Sequence, residues 1–323
     1  MITDPIGGYF ELELPERCSF PHDDGMLLNS GMNALEYVLL ALGNASHVWV
    51  PYYTCDVVLE PMQKLGVPYT FYPINRNLEL DKMPSLQDGE YLIYTNYFGV
   101  KDEYVSKLAI FYGSHLIVDN AQAWFAKPIE GVHTIYSPRK YVGVPDGGVA
   151  YCVKHIDKNT LEQDVSYERC SHLLKRLDLD PSEGYADFRA NSKQLVGQPI
   201  KRMSKLTQRM LCSIGFEEIK SKRRKNFGYL HEHLKETNLL DMPSMDSFVC
   251  PMVYPYLTND ASIKQRLIEN KVFVPTYWPN VLEWCDSNDL EYSLAQNMVF
   301  LPIDQRYGSN EMQRIVNLIE YRL

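Results

Sequence analysis

The chain has 323 residues, of which 45% are hydrophobic and 23% charged, and its formal net charge is −9. This composition indicates a globular protein with a large core and excludes a disordered or fibrous chain. The acidic balance argues against a general nucleic-acid surface, which needs a basic face.

The cysteines and histidines give no sign of a disulfide framework or a metal site. The seven cysteines are scattered without a Cys-x-x-Cys pair, which predicts a reduced, cytoplasmic protein. His231 and His233 are two positions apart on a predicted helix, so they face different directions and cannot chelate one metal. The first residues do not resemble a signal peptide, and no apolar run reaches the ~18 residues of a membrane span.

Short apolar runs alternate with amphipathic stretches in the first half of the chain. The predicted strands are 47–50, 69–72, 91–94, 115–118, 133–136 and 149–153, and the predicted helices between them are 32–42, 56–65 and 102–112. This alternation predicts βαβ units, and therefore a mainly parallel sheet with helices on both faces.

The second half is predicted to form a smaller unit. Residues 157–213 are charged and largely helical in pattern, and a long helix is predicted over 214–236. Further elements are strands at 248–256, 272–276 and 298–303 and helices at 262–270 and 311–321. We predict a large domain over 1–213 and a C-terminal α+β domain over 214–323.

A basic cluster lies within the predicted long helix. It comprises Lys220, Lys222, Arg223, Arg224 and Lys225, and it follows Glu217 and Glu218. Such mixed charge predicts a solvated helix face rather than a nucleic-acid site.

Asp119 and Lys140 form the most informative pair in the sequence. Asp119 ends the apolar run 116–118, at the edge where open parallel sheets bind ligands. Lys140 follows on a loop that returns to the sheet through Gly147 and Gly148. An amine nucleophile and a carboxylate that keeps a pyridine nitrogen protonated are what a pyridoxal phosphate site needs. Taken singly, Asp119 can be a helix N-cap and Lys140 a solvated loop lysine.

Other residues complete this candidate site. Ser30, Gly31 and Met32 open a helix, where free N–H groups can bind a phosphate, and Ser137 can add a hydroxyl. The alternative for this turn is a plain helix cap. Tyr53, or its neighbour Tyr52, follows a strand and can stack on a flat cofactor, or it can simply cap the core.

Gln122 lies three residues after Asp119, at a predicted helix start. Its amide is placed to hydrogen-bond a ring oxygen of the cofactor. The alternative is a surface cap.

Four segments together resemble the DegT/StrS-type nucleotide-sugar aminotransferases. They are Ser30 to Leu35, Pro51 to Thr54, Val118 to Ala123, and Ser137 to Lys140 with Gly147-Gly148. Arg202-Met203-Ser204 is similar to the family's segment that opens the long helix, and Phe300 to Ile303 is similar to its C-terminal strand. The resemblance covers nearly the whole chain. It implies a pyridoxal phosphate-dependent transferase of fold type I, with a large, mainly parallel sheet of seven strands and a smaller C-terminal α+β domain.

The resemblance also implies roles for individual residues. Lys140 would form the Schiff base and carry the proton between cofactor and substrate carbons, and Asp119 would pair with the pyridinium nitrogen. Gln122 would contact the ring hydroxyl, and Ser137 with the turn at Ser30, Gly31 and Met32 would hold the phosphate. A buried site beside a cation such as Arg139 lowers the pKa of a lysine, which leaves neutral amine for the reaction.

The implied reaction transfers an amino group from an amino acid, glutamate being expected, to a keto sugar carried on a nucleotide. The implied setting is polysaccharide or related sugar biosynthesis, and the implied assembly is a homodimer with sites at the subunit interface. Two alternatives remain. One is other pyridoxal phosphate chemistry, a lyase or decarboxylase, although dehydrating relatives replace the lysine by histidine. The other is a cofactor-free binding protein on a degenerate scaffold.

The sequence departs from the family pattern at four places. Cys55 replaces the usual stacking aromatic, which transfers that role to Tyr53 or Tyr52, and Met32 replaces a threonine. Pro145-Asp146 stands for Gly-Glu before the two glycines, and Ile200 replaces an asparagine that reaches the neighbouring subunit. These changes concern the substrate more than the cofactor.

Overall fold

The computed structural model describes residues 8–15 and 19–320, so Cys18 and Tyr321, the last residue of the predicted C-terminal helix, lie outside the described residues. Its main feature is a seven-stranded sheet. The strands are Met26–Leu28 (β1), His47–Pro51 (β2), Tyr69–Tyr72 (β3), Glu90–Thr95 (β4), Leu116–Asn120 (β5), His133–Tyr136 (β6) and Gly148–Tyr151 (β7). Six of them were predicted within two residues at each end, and β1 was not predicted.

The sheet is mostly parallel, as predicted. Its order is β1-β7-β6-β5-β4-β2-β3, and the pairs from β6 to β3 are all parallel. The pairs β6–β7 and β7–β1 are antiparallel. The carboxyl ends of β2, β4, β5 and β6 therefore meet at one edge, and the loop that enters β7 reaches the same edge.

Seven helices accompany the sheet and the segment that follows it. They are Gly31–Leu42 (α1), Glu60–Leu65 (α2), Asp102–Tyr112 (α3), Ser171–Asp178 (α4), Pro181–Gln194 (α5), Lys205–Cys212 (α6) and Phe216–Leu234 (α7). The predicted helix 56–65 begins as a 3₁₀ turn, Asp56–Leu59, before α2. Ser204 caps α6, a short helix, so the Arg-Met-Ser segment does not open the long helix as the resemblance implied.

The sheet separates two hydrophobic layers. Ile93, Ile117 and Ile135 pack with α1 on one face, whereas Leu92, Leu116 and Val118 belong to the cluster on the other face. Neighbouring residues of a strand point to opposite faces, so continuous apolar runs fill both layers. The second cluster continues into the C-terminal part of the chain through residues such as Phe227 and Phe300.

The C-terminal part contains a two-stranded antiparallel sheet and four further helices. They are Tyr254–Leu257 (β8), Ser262–Glu269 (α8), Val281–Trp284 (α9), Leu290–Asn297 (α10), Met298–Leu301 (β9) and Ser309–Ile319 (α11). The predicted strand at 248–256 is shorter than expected, and the predicted strand at 272–276 is wrong because this segment is irregular. The division at residues 213 and 214 stays a prediction.

The basic cluster on α7 is not a fully solvated face, which corrects the prediction. Arg223 is 2% exposed, and its guanidinium donates to the carbonyl of Met252 at 2.8 Å and of Tyr141 at 3.2 Å. Its spacing explains this position, because Arg223 lies four residues from both Ile219 and Phe227 on the buried stripe of the helix.

Among the described residues, no helix has the length and apolar character needed to cross a membrane.

Candidate active site

The turn before α1 forms a small cradle against the loop that follows β6. Ser30 caps α1, and its hydroxyl accepts the N–H of Asn33 at 3.0 Å. The next N–H groups, those of Gly31 and Met32, precede any acceptor within the helix. A β-carbon on Gly31 would lie 3.3 Å from Cβ of Ser137. The structure thus brings the predicted phosphate residues together.

Backbone pairing fixes this cradle in place. The N–H of Gly147 donates to the carbonyl of Asn29 at 3.0 Å, and the N–H of Asn29 donates to the carbonyl of Lys201 at 3.0 Å. The side-chain amide of Asn33 donates to the carbonyl of Gln198 at 2.9 Å. Ile200, within the same segment, packs partly buried against the α1 layer. The segment before α6 is therefore tied to the start of α1.

Asp119 lies at the carboxyl end of β5, as predicted. It is 8% exposed, and its Oδ1 accepts the N–H of Ala121 at 2.8 Å. Burial raises the pKa of its carboxyl, while the Ala121 hydrogen bond and the nearby Lys140 act in the opposite direction. Asp119 is therefore a buried carboxylate with one backbone hydrogen-bond donor and a lysine nearby.

Lys140 ends a 3₁₀ turn, Pro138–Lys140, after β6. Its side chain is solvent-accessible but surrounded by protein, so it lies in a cleft rather than on an open surface. Desolvation is the largest cause of its lowered pKa; Cys55 and Asp119 raise the pKa, and Arg139 lowers it. Asp119 is thus one of the charged groups that act on Lys140, after Cys55 and Arg139.

The residue after Lys140 anchors the lysine. The Tyr141 hydroxyl donates to the carbonyl of Gln122 at 2.7 Å, and its ring lies 4.5 Å from the guanidinium carbon of Arg223. Arg223 and Gln305 both donate to the carbonyl of Tyr141, at 3.2 and 2.9 Å. These contacts were not predicted from the sequence, although the position of Arg223 on the apolar stripe of α7 was a sign that its side chain is buried.

Gln122 is buried at the same edge. Its Oε1 accepts the N–H of Phe98 at 2.9 Å, which leaves the amide nitrogen as the donor for a ligand. Phe98 has φ of 57° and precedes Gly99, where a β-carbon would lie 2.8 Å from the carbonyl oxygens of Gln122 and Cys250. This tight turn after β4 therefore holds Gln122 and joins the sheet edge to the C-terminal part.

Tyr53 is fully buried, as the alternative of a ring that caps the core requires. The ring packs 4.8 Å from Trp278 and 5.6 Å from Tyr97. Tyr52 stacks on Phe71 at 4.8 Å on the edge strand β3, away from Asp119. The structure does not bring either tyrosine ring to the cleft as an open face.

Tyr277 provides an aromatic surface that the sequence did not indicate. Its ring centroid lies 6.0 Å from Nζ of Lys140 and 4.2 Å from the Phe300 ring. Within the described chain, its hydroxyl has no hydrogen-bond partner. The following residue, Trp278, has φ of 59°, and Asn280 donates to the carbonyl of Thr54 at 2.9 Å. The loop of residues 272–280 therefore closes one side of the cleft.

This arrangement fits a flat, phosphorylated aromatic aldehyde. The cradle at Gly31 and Ser137 offers hydrogen-bond donors without a β-carbon between them. A buried carboxylate and an amine of lowered pKa lie at the same sheet edge. Within residues 8–15 and 19–320, no group of three or more histidine, cysteine, aspartate and glutamate side chains is arranged to hold a metal.

Comparison with known proteins identifies the fold. No protein-family model and no curated protein matches the chain. DesV from S. venezuelae, crystallised in complex with a ketimine intermediate, is 16% identical, with 92% of this chain and 84% of that chain covered and a TM-score of 0.63. A DegT DnrJ EryC1 StrS aminotransferase from Brucella abortus is 15% identical, with coverage of 92% and 85% and a TM-score of 0.59.

A third solved structure of this fold contains a cofactor. NtdA from Bacillus subtilis, with bound cofactor PMP, is 14% identical to this chain, with coverage of 92% of this chain and 72% of that chain and a TM-score of 0.62. The fold implied by the sequence resemblance is therefore confirmed, and the family suggested by the sequence motifs is represented among the solved structures that share it.

Proposed function

We propose that this protein is a pyridoxal phosphate-dependent aminotransferase that moves an amino group from an amino acid to a keto sugar carried on a nucleotide. The observation that supports this most is the placement of Asp119 and Lys140 at one edge of the sheet, beside the cradle at Gly31 and Ser137. The shared fold, which includes sugar aminotransferases, agrees with the reaction class.

Each residue has a task that its position supports. Lys140 would bind the aldehyde carbon of the cofactor, and its released amine would move a proton to and from the substrate carbon. Asp119 would hold the pyridine nitrogen protonated, and Gln122 would donate to the ring hydroxyl. The bound cofactor supplies an electron sink for the substrate carbon.

The N–H groups of Gly31 and Met32, together with the Ser30 and Ser137 hydroxyls, would orient the phosphate. The Ser30 hydroxyl also donates to Oδ1 of Asn33 at 2.6 Å. We therefore propose that the backbone N–H groups and the Ser137 hydroxyl contribute most of the phosphate binding. We propose that Tyr277, in place of Tyr53, provides the aromatic surface beside the cofactor.

We propose glutamate as the donor and sugar biosynthesis, such as that of a surface polysaccharide, as the setting. We also propose a cytoplasmic location, which the six free cysteines of the described chain support.

We further propose that the protein is a homodimer, divided in each subunit into a large domain, 1–213, and a smaller one, 214–323. Large apolar side chains are exposed along α4 and α5, including Leu177 at 84% and Tyr185 at 59%. Such a surface favours a protein interface. Analytical ultracentrifugation should show a dimer for the native protein and a monomer for Leu177→Glu; a dimer of unchanged affinity in the variant would contradict this interface.

The test of the reaction uses purified protein incubated with pyridoxal phosphate. We expect a yellow protein, and borohydride reduction with peptide mass mapping should find the pyridoxyl group on Lys140. Lys140→Ala should abolish this label, whereas Lys154→Ala, at an exposed lysine, should not. Glutamate should then bleach the yellow colour of the unreduced protein.

The two alternatives give different results. A protein that stays colourless would favour the cofactor-free binding protein. A yellow protein that does not respond to glutamate or other amino-acid donors would favour lyase or decarboxylase chemistry. A panel of nucleotide-linked keto sugars would then identify the acceptor.

A further inference from the structure

A second cavity, separate from the cradle, lies between the turn that joins α4 to α5 and the C-terminal part of the chain. Its volume is about 210 Å³. The charged side chains in its lining are Arg176, Lys271, Arg306, Arg314 and Glu311. Four positive groups thus face one carboxylate, in a protein whose net charge is −9. Such a local reversal of charge favours an anionic ligand.

Several of these charged groups already have partners. Arg306 binds Asp304 through two hydrogen bonds of 2.7 and 2.9 Å, and the guanidinium of Arg314 donates to the carbonyl of Asn270. The Glu311 carboxylate accepts the N–H of Gly308 at 2.7 Å, at the start of α11. In the part of the chain that the structure describes, Arg176 and Lys271 form no ion pair. These two cations therefore remain for a ligand.

The backbone at Lys271 supports a role for its side chain. Lys271 has φ of 58°, directly after Asn270, the C-cap of α8. Glycine is favoured at this left-handed position because it has no β-carbon. Unfavourable backbone conformations of this kind concentrate at ligand sites, where the side chain serves a purpose. The lysine at this position places a cation in the lining of the cavity.

The same cavity contains an exposed aromatic ring. Phe273 lines it and is 58% exposed, although a large apolar side chain is usually buried. Exposed aromatic rings beside cations are the surfaces on which nucleobases stack, while the cations bind the phosphates. The combination favours a nucleotide over a simple inorganic anion.

The cavity also lies within reach of Lys140. Phe273 and Tyr277 are four residues apart, so their Cα atoms are separated by at most about 14 Å. The Tyr277 ring is 6.0 Å from Nζ of Lys140. The loop therefore joins the lining of the cavity to the ring beside Lys140.

We propose that this cavity binds the nucleoside diphosphate portion of the acceptor, with its phosphates at Arg176 and Lys271 and its base on Phe273. The inference rests on the proposed function, because it assigns one part of that substrate to a site. Arg314 and Arg306 would add to the positive potential.

Equilibrium dialysis with uridine diphosphate as the probe tests this proposal on the pyridoxal phosphate-loaded protein. We expect Lys271→Gln and Phe273→Ala each to weaken binding at least fivefold. Lys235→Gln, at an exposed lysine outside the cavity lining, should leave binding unchanged. Inorganic pyrophosphate should bind more weakly than uridine diphosphate and should be insensitive to Phe273→Ala. Equal binding of uridine diphosphate to all four proteins, or equal affinity of the two probes, would overturn the proposal.

Lys271→Gly removes the lysine side chain and is expected to increase the stability of the fold. Glycine relieves the left-handed backbone, so the midpoint of thermal unfolding should rise while the affinity for uridine diphosphate falls. A higher midpoint with unchanged affinity would refute the role of the lysine. Cofactor uptake is measured separately, from the yellow colour. A protein that stays colourless but shows these losses of nucleotide binding would contradict the proposed aminotransferase function and still support the nucleotide site.

Discussion

The sheet edge that carries Asp119 and Lys140 and the loop of residues 272–280 border the same cleft, but they are held differently. The sheet edge is fixed by backbone pairing, for example the register of Asp119 with Ile135 and with Thr95. The loop has no strand and depends on side-chain contacts, such as Asn280 with the carbonyl of Thr54. Backbone hydrogen bonds between strands therefore position the groups proposed for chemistry, whereas side-chain contacts hold the loop proposed to face the substrate.

The largest expected effect comes from the sheet edge. Asp119→Asn keeps the acceptor for the Ala121 N–H but removes the negative charge. We expect the reaction with glutamate to slow by about 10²–10³-fold, because the pyridine nitrogen would lose its proton. Stopped-flow loss of the yellow colour measures this rate.

Asp102→Asn provides the matched control for that rate. Asp102 begins α3, and its Oδ2 accepts the N–H of Val249 at 2.7 Å. Its substitution should lower stability without slowing the half-reaction comparably. Equal rates for Asp119→Asn and the native protein would remove Asp119 from the proposed chemistry.

The next effect concerns Gly99, which joins the two regions. Gly99→Ala should destabilise the protein by about 3 kcal/mol or more, because φ is 69° and the new β-carbon would meet two carbonyl oxygens at 2.8 Å. Gly66→Ala, with φ of 67° in the left-handed region and nothing within 4 Å, should cost only about 1–2 kcal/mol. Urea unfolding measures both, and similar losses would show that the turn does not couple the regions.

A smaller effect is expected at the cradle. Gly31→Ala adds a β-carbon 3.3 Å from that of Ser137, so we expect about tenfold weaker binding of pyridoxal phosphate with little change in stability. Gly228→Ala, within α7, meets only the Met245 side chain at 3.6 Å and should not alter the affinity. Absorbance titration with the cofactor distinguishes the two variants. Unchanged affinity in Gly31→Ala would show that the phosphate does not bind at this cradle.

The smallest effect is expected from the loop. Desolvation is the main cause of the lowered Lys140 pKa, so Tyr277→Leu, which admits water, should move that pKa upward, towards 10.5. The neutral amine is the reactive form, and the rate of cofactor capture by apoprotein should then rise at higher pH than in the native protein.

Tyr277→Phe separates the ring from the hydroxyl. It keeps the ring, so its pH profile should follow the native one within a few tenths of a unit. A pH profile of Tyr277→Leu that matches the native profile would show that the loop does not shield Lys140.

The sheet was predictable because apolar runs carry a local signal. Residues 91–94 and 115–118 are continuous apolar stretches bounded by polar loops, and parallel strands buried on both faces require such stretches. β1 escaped prediction because it has only three residues, and it is a strand by virtue of its pairing with β7. The segment 272–276 has strand-like composition, but it faces no strand to pair with and packs as a loop.

The positions of the candidate residues were more predictable from the sequence than the side chains that surround them. Asp119, Gln122, Ser137 and Lys140 follow strands, so their shared edge followed from the sheet. Tyr53 also follows a strand, yet its ring turned into the core because Tyr97 and Trp278 surround it. Arg223 carries a charge, yet three acceptors from distant segments allow it to be buried.

Local pattern by itself determined six of the seven strands of the sheet, the cap at Ser30 and the position of Asp119 and Lys140 at or after the end of a strand. These depend on hydrophobic periodicity and on the residues that follow each apolar run, both of which lie in short stretches of sequence. The tertiary structure decided which aromatic ring faces Lys140, what buries Arg223, and how Lys271 and Phe273 meet Arg176. Those outcomes depend on contacts between segments far apart in the chain, such as Thr54 and Asn280, which are separated by 226 positions. Local periodicity carries no information about such contacts.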